Sequence, residues 1–259
     1  MKKYLTIIKR DLLYTLLEYK KTYIYLVIFY LFLNFIIVYR YTSAIDNDIF
    51  TILIKGYGGI EFISLEKKID IPIIWIIIHI LIIILTTNIV SKNFNTSSKY
   101  ILTRIESRNL FWISKIISII FSVLLYYSIV FISFFVISFL FSNFLSINFK
   151  SLLGEYNFNI FLIKIIFLYI INSILLCTLS STIGVLVDFK YAIVILVLIM
   201  IISLTGKSAL LPAQGSIILR HAPYSPDGIN VIFLVTYNIV LSFILIILGC
   251  NLIDKKDII

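Results

Sequence analysis

Residues 91–115 read SKNFNTSSKYILTRIESRNLFWISK, a polar and basic insert between two long apolar runs. Asn95, Ser97 and Ser98 are residue types that cap helix N-termini. Residues 100–108 then contain no Gly or Pro, and Ile101, Leu102 and Ile105 recur at i, i+1 and i+4. That spacing gives one or two helical turns parallel to a membrane, with Ile101 and Ile105 offered to a partner's groove and Arg104, Glu106 and Arg108 around them. The plainer alternative is a basic loop that only sets topology. Either way the chemistry of this stretch is docking, without a nucleophile, an acid–base pair or a metal ligand set.

The other candidates are polar residues inside apolar runs, each costly in hydrocarbon and therefore a functional candidate. Asn34, His79, Asn172 and Asn238 occur one to a run, and Ser114, Ser118, Ser122 and Tyr126 step by four along the third. Such residues either line a substrate path or let helices approach and hydrogen-bond across a bundle. His79 has no second ligand near it in sequence, and no run carries Asp or Glu at its centre. A metal site and a proton relay are both disfavoured. Cys177 and Cys250 belong to no CxxC pair and read as packing residues.

The elements that must position these residues follow from composition. The 259 residues are 61% hydrophobic and 14% charged, outside the soluble range on both counts. Six runs are long or apolar enough to be read as spans: 22–39, 71–90, 116–140, 160–187, 192–204 and 229–253. The fifth is short; it either continues towards Leu211 or breaks and dips back before Pro212. Residues 1–21 are too charged to span. Leu5, Ile8, Leu12 and Leu16 give them the pattern of an amphipathic helix lying in the membrane interface. No small-residue cleavage site follows the first span, so it is not expected to be a removable signal.

Residues 40–70 read as a turn-rich, partly interfacial loop holding a short apolar piece at 49–54, and residues 205–228 as a folded rim or a re-entrant hairpin. Fourteen of the 22 Lys and Arg residues fall in 1–21, 91–115, 188–190 and 254–259, against eight on the other side. The positive-inside rule then puts both termini in the cytoplasm. The net charge of +9 is accounted for by topology and implies no nucleic-acid partner.

The string LTRIESR followed by NLFWISK resembles the cytoplasmic loop of type-2 ATP-binding-cassette (ABC) exporter permeases. The family pattern runs Leu-Thr-x-Pro-aliphatic-Ser-Arg, with a lysine seven residues on. Leu102, Thr103, Ser107, Arg108 and Lys115 match it; Ile105 stands where the family has proline, and Glu106 where it has an aliphatic residue. The layout of the whole chain is similar too. The resemblance implies a single all-α membrane domain over 1–259 with six transmembrane helices, an N-terminal interfacial helix, a cytoplasmic coupling helix, and a folded or re-entrant outer element before the last helix.

It further implies that residues Tyr100, Ile101, Leu102, Thr103, Arg104, Ile105, Glu106, Ser107 and Arg108 dock into a separate ATPase subunit. Two such subunits would carry ATP and Mg, since the chain has neither a Walker A nor a Walker B motif. Two permease copies, identical or paired with a sister chain, would form the exporter in a bacterial cell membrane, in contact with its lipids. Asn34, His79, Ser118, Ser122, Tyr126, Asn172 and Asn238 are the candidate substrate path. An amphipathic peptide toxin or bacteriocin is the favoured cargo, with drugs or lipids as alternatives. A stand-alone channel or transporter is the reading from another class. Intramembrane protease motifs are absent from the sequence.

Overall fold

A computed structural model describes residues 2–42, 49–61, 71–92, 94, 108–142, 158–222, 225 and 228–255. Its α-helices are α1 (Lys2–Glu18), α2 (Lys20–Thr42), α3 (Ile49–Tyr57), α4 (Ile73–Lys92), α5 (Arg108–Leu140), α6 (Phe158–Leu186), α7 (Phe189–Thr205) and α8 (Val231–Lys255). Five of them, α2, α4, α5, α6 and α8, are long and apolar enough to cross a membrane. A backbone in hydrocarbon must satisfy its own hydrogen bonds, and a helix does so within the segment. The chain is thus a helical, multi-pass membrane protein by the length and composition of its helices.

The short fifth run is settled at its ends. Asp188, in extended backbone, caps α7 by accepting the Lys190 N–H, and the helix stops at Gly206. It does not continue to Leu211. Its 17 residues span about 26 Å at 1.5 Å each, slightly less than a hydrocarbon core of about 30 Å.

Helices α5 and α6 form the centre: α6 packs on α4, α5, α7 and α8, and α5 on α1, α2, α4, α6 and α8. Buried Ser173, Ser180, Ser181 and Gly184 let neighbours approach α6 closely. On α8, a Cβ at Gly249 would stand 2.3 Å from the Trp112 ring. The indole of Trp112 thereby reaches the α8 backbone and donates to the Ile246 carbonyl at 3.1 Å. Gly249→Val is expected to push the indole away and cost about 1–3 kcal/mol, read as a lower thermal midpoint with a red-shifted Trp emission; an unchanged midpoint would show that the α5–α8 seam tolerates the added volume.

One sequence expectation changes. The apolar piece at 49–54, read as part of an interfacial loop, is the buried helix α3, with Ile49, Phe50, Ile52, Leu53 and Tyr57 in the core. Its nine residues were too few to declare a period. In α1 the residues facing the bundle are Asp11 and Thr15, while Leu13, Leu16 and Leu17 are exposed. A polar stripe therefore docks α1 on the protein, and the leucines face outward, as suits a helix at a lipid surface.

The described residues between 206 and 230 form a rim of two 3-10 turns, Gln214–Ser216 and Ile218–Arg220, with a bridge between His221 and Ile229. Leu219 donates its N–H to the Gly58 carbonyl at 3.1 Å, which fastens the rim to the end of α3. Gly59 makes that crossing possible, since its φ of 84° and the nearness of Ile217 leave no place for a side chain.

Candidate functional site

Of the segment expected to dock a partner, Tyr100, Ile101, Leu102, Thr103, Arg104, Ile105, Glu106 and Ser107 lie outside the described residues. Arg108 opens α5. The helix ends on either side of the segment are tied to the rest of the bundle. At the end of α4, the Lys92 ammonium pairs with Glu18 at the end of α1, both exposed. At the start of α5, Arg108 Nη1 donates to the Asp254 carbonyl at 2.9 Å, in the last turn of α8. A cation there also meets the negative end of the helix dipole.

Two turns further along α5 lies a buried ion pair. Lys115 is fully buried, and its Nζ stands 2.6 Å from Asp11 Oδ2 on α1. The Ser114 hydroxyl donates to the same oxygen at 2.7 Å, and Arg10 holds Oδ1 at 2.7 Å. The Phe111 ring lies under the ammonium, 4.8 Å from its centroid. Burial opposes ionisation of Asp11, but the Lys115 charge and the hydrogen bonds from Lys115, Ser114 and Arg10 outweigh it and hold the carboxyl below its ordinary 3.8. The spacing of α1 alone could not reveal this, because the partner lies 104 residues away.

The seven candidate path residues are all buried inside the bundle, and three of them, Asn34, His79 and Tyr126, lie in a cluster of hydrogen-bonded and ring-packed side chains. Asn34 donates to Ser133 Oγ at 2.8 Å and accepts from the Tyr57 hydroxyl; the Tyr169 hydroxyl donates to the Tyr57 carbonyl. Tyr126 donates to the Ile78 carbonyl at 2.7 Å and also meets the Tyr30 hydroxyl. His79 packs between Trp75 and Tyr169, with ring centroids 4.6 and 5.4 Å away, and its Nδ1 lies 2.8 Å from the Trp75 carbonyl. Ser118 and Ser122 each donate to the carbonyl four residues back on their own helix.

Asn172 and Asn238 meet at the rim. A Cβ at Gly215 would lie 2.5 Å from Asn238 Nδ2 and 3.0 Å from Asn172 Nδ2, and Asn172 donates to the Pro212 carbonyl at 2.5 Å. His79 Nε2, Asn172 Oδ1 and Asn238 Nδ2 are buried without a hydrogen-bond partner among the described residues. Unmet polar atoms are costly and uncommon, so the Asn172–Asn238 patch beneath Gly215 stands to gain from a bound polar group or a rearrangement. Tyr30, Tyr57, Tyr127 and Tyr169 complete the cluster and were missed in the sequence, where a tyrosine inside a span reads as bulk.

Above the patch, Arg220 is the anchor of the rim. Its guanidinium donates to the Ser203 and Gly206 carbonyls at 2.8 and 2.9 Å, to Leu204 O, to Gln214 Oε1 at 3.0 Å and to Ile60 O at 3.2 Å. Burial lowers it to about 10, so it stays charged at neutral pH and caps the C-terminal end of α7. Beside it, burial takes the imidazole of His221 down to about 4 and keeps it neutral.

Among the described residues no group of His, Cys, Asp and Glu could hold a metal ion. Fold and site together define a multi-pass helical membrane protein with a tied basic end and an interior of buried amides, phenols and hydroxyls. No protein-family model, no curated protein and no solved structure matches the chain.

Proposed function

We propose that this chain is the membrane-spanning permease subunit of a type-2 ABC exporter. It crosses a bacterial cell membrane six times, with α7 as the fifth crossing and both termini in the cytoplasm. The observation that carries the reading is the pair of ties around the docking segment: Lys92 to Glu18 of α1, and Arg108 to the Asp254 carbonyl of α8. A push on that segment passes into α1, α4, α5 and α8 together. A loop that only set topology would need no such ties.

In this reading two ATPase subunits bind ATP and Mg and seat residues 100–108 of two permease copies, identical or paired with a sister chain. The cargo is amphipathic or hydrophobic, with a bacteriocin-like peptide favoured over drugs or lipids, because the interior offers amide, phenol and hydroxyl groups beside a large apolar surface. ATP-dependent movement of such a peptide into vesicles holding the chain and its ATPase tests the cargo; no movement would remove the peptide.

The direct test is coexpression with the ATPase encoded beside the gene, purification in mild detergent, and subunit counting by mass. Two ATPases with two copies of this chain are expected. Replacing Ile101 and Ile105 with aspartate should cut ATPase recovery at least about tenfold, as loss of a docking hot spot does, while membrane insertion is unchanged. Recovery of the chain without any ATPase, with nucleotide present, would turn the reading to a stand-alone transporter or channel.

A further inference from the structure

A cleft of about 320 Å³ opens at the basic end, between the last turn of α4 and the turn joining α6 to α7. Its buried side is formed by Thr87 and Gly184, and its exposed side by Asn88, Asp188 and Lys190, with Ser91 and Ile193 half-buried between them. The Phe189 ring makes one wall. It can lie against α6 only because residue 184 is glycine, since a Cβ there would stand 2.4 Å from the ring.

The charges at the mouth are arranged for a zwitterion. Asp188 uses Oδ1 to cap α7, accepting the Lys190 N–H at 3.3 Å. Among the described residues neither Asp188 Oδ2 nor the Lys190 ammonium has a partner. One fixed negative and one fixed positive group, two residues apart, thus face the same opening. The first turn of α7 adds its partial positive charge on the Lys190 side.

What lies beside the cleft indicates how a ligand would arrive. Leu186, Val187, Tyr191 and Val194 form an exposed apolar strip leading away from it, each 58–62% exposed. On a helix that borders a membrane, such a strip is where acyl chains run. The cleft volume falls at the small end of ligand pockets, the size of a headgroup and too small for a whole lipid.

We propose that this cleft binds the headgroup of a phosphoethanolamine lipid. The primary ammonium donates to Asp188, the phosphate accepts from Lys190 and the Asn88 amide, and the acyl chains follow Tyr191 and Val194. The binding needs no ATPase and stands apart from the exporter reading. A phosphocholine lipid fits less well, because its trimethylammonium has no hydrogen to donate to Asp188. An anionic phosphatidylglycerol offers Asp188 only neutral hydroxyls, with no cation to offset its charge.

The test is native mass spectrometry of the full chain, released from detergent micelles doped with phosphatidylethanolamine, phosphatidylcholine and phosphatidylglycerol in equal amounts. A parallel sample contains water-soluble glycerophosphoethanolamine. Preferential retention of one phosphatidylethanolamine is expected. Lys190→Gln should weaken it at least tenfold, and Asp188→Asn, which keeps a helix cap, should abolish the preference over phosphatidylcholine. No headgroup preference, or variants that retain phosphatidylethanolamine as well as the parent, would overturn the proposal. Equal binding of glycerophosphoethanolamine would overturn the lipid as the ligand.

Discussion

Lys115→Met is expected to destabilise the bundle by about 3–5 kcal/mol, because it strands a buried carboxylate that was built to face a cation. Asp11 would keep Ser114 and Arg10, but its main counter-charge would be gone from a site almost closed to water. The readout is the thermal midpoint in detergent, together with protease access to α1, which is docked on α5 through this pair. Asp11→Leu combined with Lys115→Met should recover most of the loss, since removing both charges leaves no uncompensated ion. A single variant as stable as the parent, with α1 still protected, would sink the idea that the pair docks this helix.

The same pair has a defined pH signature. The Asp11 carboxyl lies below its ordinary 3.8 in the folded chain. Its contribution is therefore fully present above about pH 3.8 and is lost as pH falls through the lower folded value. Stability measured between about pH 5 and 8 should show no step from this group, whereas the acid limb should be shallower in Asp11→Leu/Lys115→Met than in the parent.

Arg220→Ala is expected to unfasten the rim. The guanidinium serves three carbonyls at the end of α7, the Gln214 amide oxygen and the Ile60 carbonyl. Hydrogen bonds to a charged group contribute about 1.5–3 kcal/mol each. Losing several at once should exceed about 3 kcal/mol and open residues 206–230 to proteolysis. Lysine keeps the charge but lacks the planar fork, so Arg220→Lys should fall between alanine and the parent. Equal protease patterns for all three would show that the rim is held from elsewhere, for instance by the Gly58 carbonyl and the Trp75 indole, which donates to Ser216 O at 3.1 Å.

Much of the helical framework was legible in the chain itself. The long runs are apolar on every side, and in hydrocarbon only a helix satisfies such a backbone. The fifth run was visible at 192–204 but its end towards Leu211 stayed open, and the fold starts the helix at Phe189 and stops it at Gly206. The polar span residues Asn34, His79, Tyr126, Asn172 and Asn238 were visible because each breaks a run of aliphatic residues, and the fold gathers them into its interior.

Tertiary structure alone decided the rest, because the deciding partners are far apart in the chain. Asp11 looks like one polar residue among several until Lys115 stands over it. The stretch 49–54 looks interfacial until α2, α4 and the rim close around α3. Ser118 and Ser122 share a stripe with Ser114 and Tyr126, but the hydroxyls of Ser114 and Tyr126 donate to acceptors on other helices while those of Ser118 and Ser122 donate to their own backbone. Periodicity determines which face of a helix is apolar. It does not determine which distant group will meet a polar atom on that face, and that meeting separates a buried charge that anchors the fold from one that would break it.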